Sequence, residues 1–146
     1  MATKPLAKNT ISGTHGYLYW DSECIYEVSK WEIKLKTNRE TIGFAGEMWD
    51  DSKLMGISGT WSMTIKKVFS RAAALAEDIA AANDPRVTFV SALDDPDALG
   101  EERVQISNAW FDELTIMSFE HGKTIDDELS GGYTGLKYLD KISESK

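Results

Sequence analysis

The sequence holds one cysteine, two histidines and three prolines among 146 residues, and each shortage closes off a class of protein. A single Cys cannot form an intrachain disulfide or supply a thiolate zinc site. His15 and His121 lie far apart, with neither a His-x3-His pair nor a neighbouring Cys, so no metal centre is expected. Apolar runs stop after a few residues, far short of the ~20 that a membrane-spanning helix needs. No apolar stretch follows Met1-Ala2-Thr3-Lys4-Pro5, so neither a signal peptide nor a membrane anchor is expected and synthesis is cytoplasmic. Positive charge is scarce too. Sixteen Lys and Arg against 24 Asp and Glu leave a net charge of −8, which opposes general binding to phosphate backbones and to anionic lipid.

Catalytic groups are equally thin. Cys24 shares its parity with Tyr26 and Val28, which makes it a small apolar strand residue rather than a nucleophile with a base beside it. Asp94-Asp95-Pro96-Asp97 and Asp126-Asp127-Glu128 cluster carboxylates without the alternate spacing around a glycine turn that a calcium loop requires. The first reads as an acidic β-turn and the second as the solvated start of a strand. Gly131-Gly132-Tyr133-Thr134-Gly135 lacks the Lys-Ser/Thr of a phosphate loop and reads as a bulge or flexible lead into a strand. No enzyme, cofactor or metal is expected from these residues.

What the chain does have is strand pattern. Lys30-Trp31-Glu32-Ile33-Lys34-Leu35-Lys36 alternates, with Trp31, Ile33 and Leu35 on one face, as a half-buried antiparallel strand requires. Cys24, Tyr26 and Val28 alternate on the opposite parity, so a bulge or a change of sheet is expected near Ser29. Thr60-Trp61-Ser62-Met63-Thr64-Ile65-Lys66 alternates again. Thr37-Asn38-Arg39-Glu40 reads as a turn, residues 40–67 as one long β-hairpin, and Trp49 to Gly56 as its tip. Trp49, Leu54 and Met55 at that tip are the candidate contact to a partner, because apolar residues at a loop end are otherwise unexplained. The Ala-rich run after Ser70, a possible cap, predicts one helix over 70–83, with Phe69, Ala72, Leu75, Ala76 and Ile79 as a shallow apolar stripe. Further strands are expected at Val87–Leu93, Arg103–Phe119 and Tyr133–Leu139. With no linker and no repeat, the chain reads as one mainly β (α+β) domain over 1–146: a β-sandwich or barrel with a flanking helix, a long hairpin and an N-terminal arm at 1–12.

Of the five tryptophans, Trp31 and Trp61 sit on apolar strand faces and read as core, while Trp49 reads as interface. A small-molecule or carbohydrate-binding β-barrel is the alternative that these aromatics keep open.

Asn9-Thr10-Ile11-Ser12-Gly13, followed by Gly16, Leu18 and Asp21, resembles the opening of the tail tube proteins of PBSX-type prophages and contractile-tail phages of Gram-positive bacteria. Gly59-Thr60 running to Lys67-Val68, Asp84-Pro85, Asp94-Asp95 and Glu102-Arg103-Val104 continue the likeness in the same order, to about residue 119; beyond Glu120 the chain is more glycine-rich than that pattern. The resemblance implies a structural subunit, without cofactor, that joins into hexameric rings. The rings stack into a tube inside a sheath, on a baseplate and beside a tape-measure protein, in a virion or R-type bacteriocin particle. It implies passage of DNA through the lumen without specific binding, or envelope puncture, and a hairpin at 40–67 that reaches the neighbouring ring.

Overall fold

A computed structural model describes residues 4–144, so residues 1–3 of the expected N-terminal arm lie outside the described residues. Within them the chain forms β1 (Gly16–Trp20), β2 (Glu23–Cys24), β3 (Val28–Gly43), β4 (Asp50–Lys66), α1 (Ala73–Ala80), β5 (Val87–Leu93), β6 (Glu102–Leu114), β7 (Asp126–Tyr133) and β8 (Gly135–Asp140). All strand pairs are antiparallel. One sheet runs β2-β1-β5-β6-β8 and the other β3-β4-β7-β6, so the two share β6.

Sharing one strand demands a corner, and the sequence supplies one. Up to Ala109, β6 pairs with β5 and β8; from Trp110 it pairs with β7. Between them Asn108 adopts a positive φ of 53°, a conformation that Asn tolerates better than most residues. Its side-chain amide donates to Thr134 Oγ1 at 2.7 Å, and Thr134 is the residue between β7 and β8. Both strands therefore leave one sheet for the other at one pinned point.

The core lies between the sheets. Leu18, Ile25, Trp61, Met63, Ile65, Phe89, Ile106 and Leu129 are buried in it. Phe89 is its centre, with ring centroids 4.8 Å from Trp61, 5.1 Å from Trp31 and 5.5 Å from Trp20. The Trp61 indole donates to the Trp110 carbonyl at 3.2 Å, so the largest core side chain carries no unpaired donor inward.

Alternation located these inward faces, and the expected bulge at Ser29 is present between Val28 and Lys30. The strand expected to run to Phe119 ends at Leu114, and the chain differs from expectation in four further places. The hairpin is longer than 40–67: β3 starts at Val28 and Thr37–Glu40 is paired strand, while Asp50–Gly56 belongs to β4 and the tip is 44–49. Its polar side chains face solvent on both sides, so nothing in their pattern reports pairing. Residues 25–27 form a turn that buries Ile25 and leaves Tyr26 exposed and Cys24 half-buried, against the parity read there. The helix covers only Ala73–Ala80, with Ala72 at the cap position and no side-chain cap; Ser70 offers its carbonyl to the Ala73 N–H instead. Its anchor is Arg71, which pairs with Glu27 and, at 3.1 Å, with Glu23. Burial works to lower the Arg71 pKa, and the two carboxylates outweigh it and raise it.

The fourth difference is β7. Gly131 and Gly132 are buried within a central strand rather than leading flexibly into one. A Cβ on Gly131 would collide with the Trp110 carbonyl, and one on Gly132 with the Trp110 ring. The glycines are there because β6 passes so close.

Candidate assembly interface

Within the sandwich β4 pairs with β7 only from Gly59 to Lys66. Beyond Leu35 and Gly59 the two hairpin strands pair, among the described residues, only with each other, with Thr37 opposite Ile57, Arg39 opposite Leu54, Glu40 opposite Lys53 and Gly43 opposite Asp50. At ~3.4 Å per residue, Lys36 to Gly43 carry the tip about 27 Å beyond the sheet. A two-stranded ribbon with no third strand is marginal in water. Along it lie exposed Leu54, Met55 and Ile57, and at its end Phe44, Met48 and Trp49, the last two 99% and 87% exposed.

The three residues marked from the sequence are thus distributed. Trp49 is at the tip, Leu54 sits along the shaft facing the same way as Leu35 and Ile57, and Met55 is the extra residue of the bulge between Asn38 and Arg39. Phe44, Met48 and Ile57 join them. Alternation could have shown Ile57 once the register of β4 was known; Phe44 and Met48 carried no signal beyond being apolar.

Charge is polarised along the arm. Residues 30–39 of β3 hold Lys30, Lys34, Lys36 and Arg39 against Glu32, whereas the stretch 40–51 holds Glu40, Glu47, Asp50 and Asp51 and no basic residue, with Lys53 opposite Glu40. Beside the base opens a cleft of about 670 Å³, between β3 and the inner face of the first sheet. Ile33, Leu35, Leu93, Val104, Leu136 and Tyr138 line it, as does Trp31, whose indole nitrogen is buried without a hydrogen-bond partner among the described residues. Further apolar side chains stand exposed at Val68 and Phe69 before the helix and at Ile116, Met117 and Phe119 between β6 and β7.

The acidic turn at 94–97 is a clamp. Asp95 accepts from the Ser12 and Asp97 backbone N–H groups, both at 2.9 Å, and these two bonds hold its carboxyl below the usual aspartate pKa. Asn9 donates to the Asp97 carbonyl at 3.0 Å and Asp94 N–H to the His15 carbonyl at 3.1 Å, so residues 9–15 are strapped across the turn between β5 and β6. Asp127 is buried beside Lys67 at 3.1 Å. His15 lies in that strap and His121 against the Phe119 ring. Four of the five tryptophans are absorbed by packing: Trp20, Trp31 and Trp61 around Phe89, and Trp110 under the Arg86 guanidinium. Among the described residues no helix is long and apolar enough to cross a membrane.

The protomer thus shows an apolar arm, free strand edges and dispersed apolar patches among its described residues. The chain is 28% identical over 142 residues to the phage-like element PBSX protein XkdM of Bacillus subtilis (strain 168), covering 95% of this chain and 97% of that one. Its fold resembles a chain of the PVC sheath/tube terminator of an extracellular contractile injection system, at a TM-score of 0.72, 12% identity, and 92% and 100% coverage. It also resembles a chain in the tail of an empty gene transfer agent particle solved in C6 symmetry, at a TM-score of 0.64, 14% identity, and 90% and 100% coverage. The sequence pattern of the phage tail tube proteins matches residues 4–140, and the chain belongs to that family as a structural subunit of a phage-type tail.

Proposed function

We propose that the subunit closes into hexameric rings which stack into the inner tube of a contractile tail, surrounded by a sheath protein and founded on a baseplate, with a tape-measure protein beside it. The observation that carries this reading is the arm at 36–58, whose two strands pair with no third strand among the described residues and whose apolar side chains are exposed in the protomer. Trp49, Leu54 and Met55 belong to that inter-subunit surface. Free edges at β3 and β8 suit edge-to-edge closure, which converts an aggregation hazard into a ring, while stacking along the axis stays open-ended. The outer face of the second sheet, with Ser62, Thr64 and Ser130 among Lys30, Glu32 and Glu128, is hydrophilic and fits a water-filled lumen. A net charge of −8 per subunit lets DNA pass without sticking. Localisation in the tail of a virion or phage-like particle follows from the same reading.

Negative-stain electron microscopy across a concentration series tests it. Rings or hollow tubes of uniform diameter are expected. Protein that stays monomeric at every concentration, and also when seeded with baseplates, overturns the reading.

A further inference from the structure

We propose that Tyr133 is the brace that sets the direction in which the arm leaves the sandwich. The use of a fixed direction rests on the reading of the arm as an inter-subunit surface; the brace itself is read from the protomer alone.

The wall ends in one row of three residues. Tyr133 of β7 stands opposite Gly59 of β4, and Gly59 stands opposite Leu35 of β3. The pairing of β4 with β7 stops at this row, while that of β4 with β3 continues to Ser58 and Lys36. Inside the row three strands hold one another, and outside it two do. The row is therefore the pivot about which the arm can swing.

One side chain reaches across all three strands there. Tyr133 is 4% exposed, and its hydroxyl donates to the Lys34 carbonyl at 3.0 Å. Strands lie ~4.8 Å apart, so a residue of β7 must pass over β4 and cover roughly 10 Å to meet β3. Gly59 is what lets it pass. A Cβ at that position would lie 2.5 Å from the Tyr133 ring, well inside the ~3.5–4.0 Å of an ordinary carbon contact. The absent side chain on β4 and the long one on β7 make a single fitting, and its far end is a backbone carbonyl at the root of the arm.

The bond suits a tether. Burial, with Tyr138 beside it, pushes the Tyr133 phenol above its usual range, so the donated proton stays in place at neutral pH. The acceptor is main chain, so it cannot move without moving the strand. A ribbon of two strands is marginal by itself, and an arm oriented before contact loses less freedom on binding. Tyr133 thus acts on assembly through the arm, as a positioning residue.

Distances between spin labels in dilute, monomeric protein test this in a Cys24→Ser background. One label is placed at the tip through Met48→Cys and one on β8 through Lys137→Cys, both exposed positions. Tyr133→Phe keeps the ring over Gly59 and removes only the bond. A hydrogen bond of this kind weights the braced arm over the unbraced one by roughly two- to tenfold, so its loss should widen the tip-to-body distance distribution. Gly59→Ala displaces the ring itself and should widen it at least as much. Tyr138→Phe, which removes a neighbouring hydroxyl of the same cleft, should leave it unchanged. Circular dichroism confirms that each variant is folded. A Tyr133→Phe distribution as narrow as the parent's overturns the proposal, whatever Gly59→Ala does, and so does equal widening by Tyr138→Phe. Microscopy of the unmodified chain decides the tube separately. Tubes with equal widths discard the brace and keep the tube, whereas selective widening without tubes keeps the brace and discards the tube.

Discussion

One hairpin, two environments: from Val28 to Leu35 and from Gly59 to Lys66 it is half of a sandwich wall, and from there to Gly43 and Asp50 it is a bare ribbon. Backbone pairing is the same kind in both. What differs is the third strand and the opposing sheet, present for the first part and missing for the second. The comparison teaches that ladder hydrogen bonds alone do not decide where this chain is stable. Packing around Phe89 does, and the arm is left to be completed by assembly.

The sharpest way to break this comparison is to delete a tryptophan from each part. Trp61→Ala removes a side chain that is 2% exposed, stacked on Trp31 and tilted against Phe89, and should cost about 3–5 kcal/mol. Trp49→Ala should change protomer stability by less than about 0.5 kcal/mol. Urea unfolding followed by circular dichroism measures both. Similar midpoints for the two variants would show that the arm is as integral to the protomer as the wall.

Within the arm, Leu54→Asp combined with Met55→Asp should leave the urea midpoint of the protomer unchanged. Tube formation should fall, since each apolar side chain covered on assembly contributes about 1.5–3 kcal/mol. Pelleting of tubes at fixed concentration reads the effect. Normal tubes from a folded double variant would remove the shaft from the interface.

A pair of glycines sharpens the same contrast at smaller amplitude. Gly132→Ala forces Trp110 to move within the wall and should cost about 1–3 kcal/mol. Gly56→Ala in the arm meets only the Asn38 side-chain nitrogen, 3.7 Å away, and should cost less than about 0.5 kcal/mol beyond the usual strand preference.

The same divide explains what could be read from the sequence. Alternation of Trp31 with Ile33 and of Trp61 with Met63 and Ile65 exposed the wall directly, because one face of those strands is buried and the other wet. The bulge at Ser29 was inferred from a parity of Cys24, Tyr26 and Val28 that the structure does not keep, since the chain turns at 25–27, buries Ile25 and exposes Tyr26. In the arm both faces are wet, so Thr37–Glu40 looked like a turn and Asp50–Gly56 like a loop tip. β7 was hidden by the opposite circumstance. Its two glycines are dictated by Trp110, a residue of another strand, and no local pattern reports a neighbour that distant in sequence. The candidate contact residues were half legible: hydrophobicity marked Trp49, Leu54 and Met55, but their division between tip, shaft and bulge depends on a register set within the hairpin.

The last contrast is between the arm and the strap at residues 9–15, two exposed segments of which only the second is tied to the body. The tie depends on charge. Asp95 accepts two backbone N–H bonds, and these place its folded pKa below the ordinary 3.8. A depressed carboxylate pKa contributes stability above the unfolded value, and that contribution is lost as pH falls through the folded one. At neutral pH the clamp is fully formed. Titrating downward, the Ser12 and Asp97 amide resonances should therefore shift together with a midpoint below 3.8. Asp95→Asn keeps an acceptor of the same shape without the titrating group and should abolish the shared step. If the step survives in that variant, another carboxylate ties down the strap, and the acidic turn at 94–97 is only a turn.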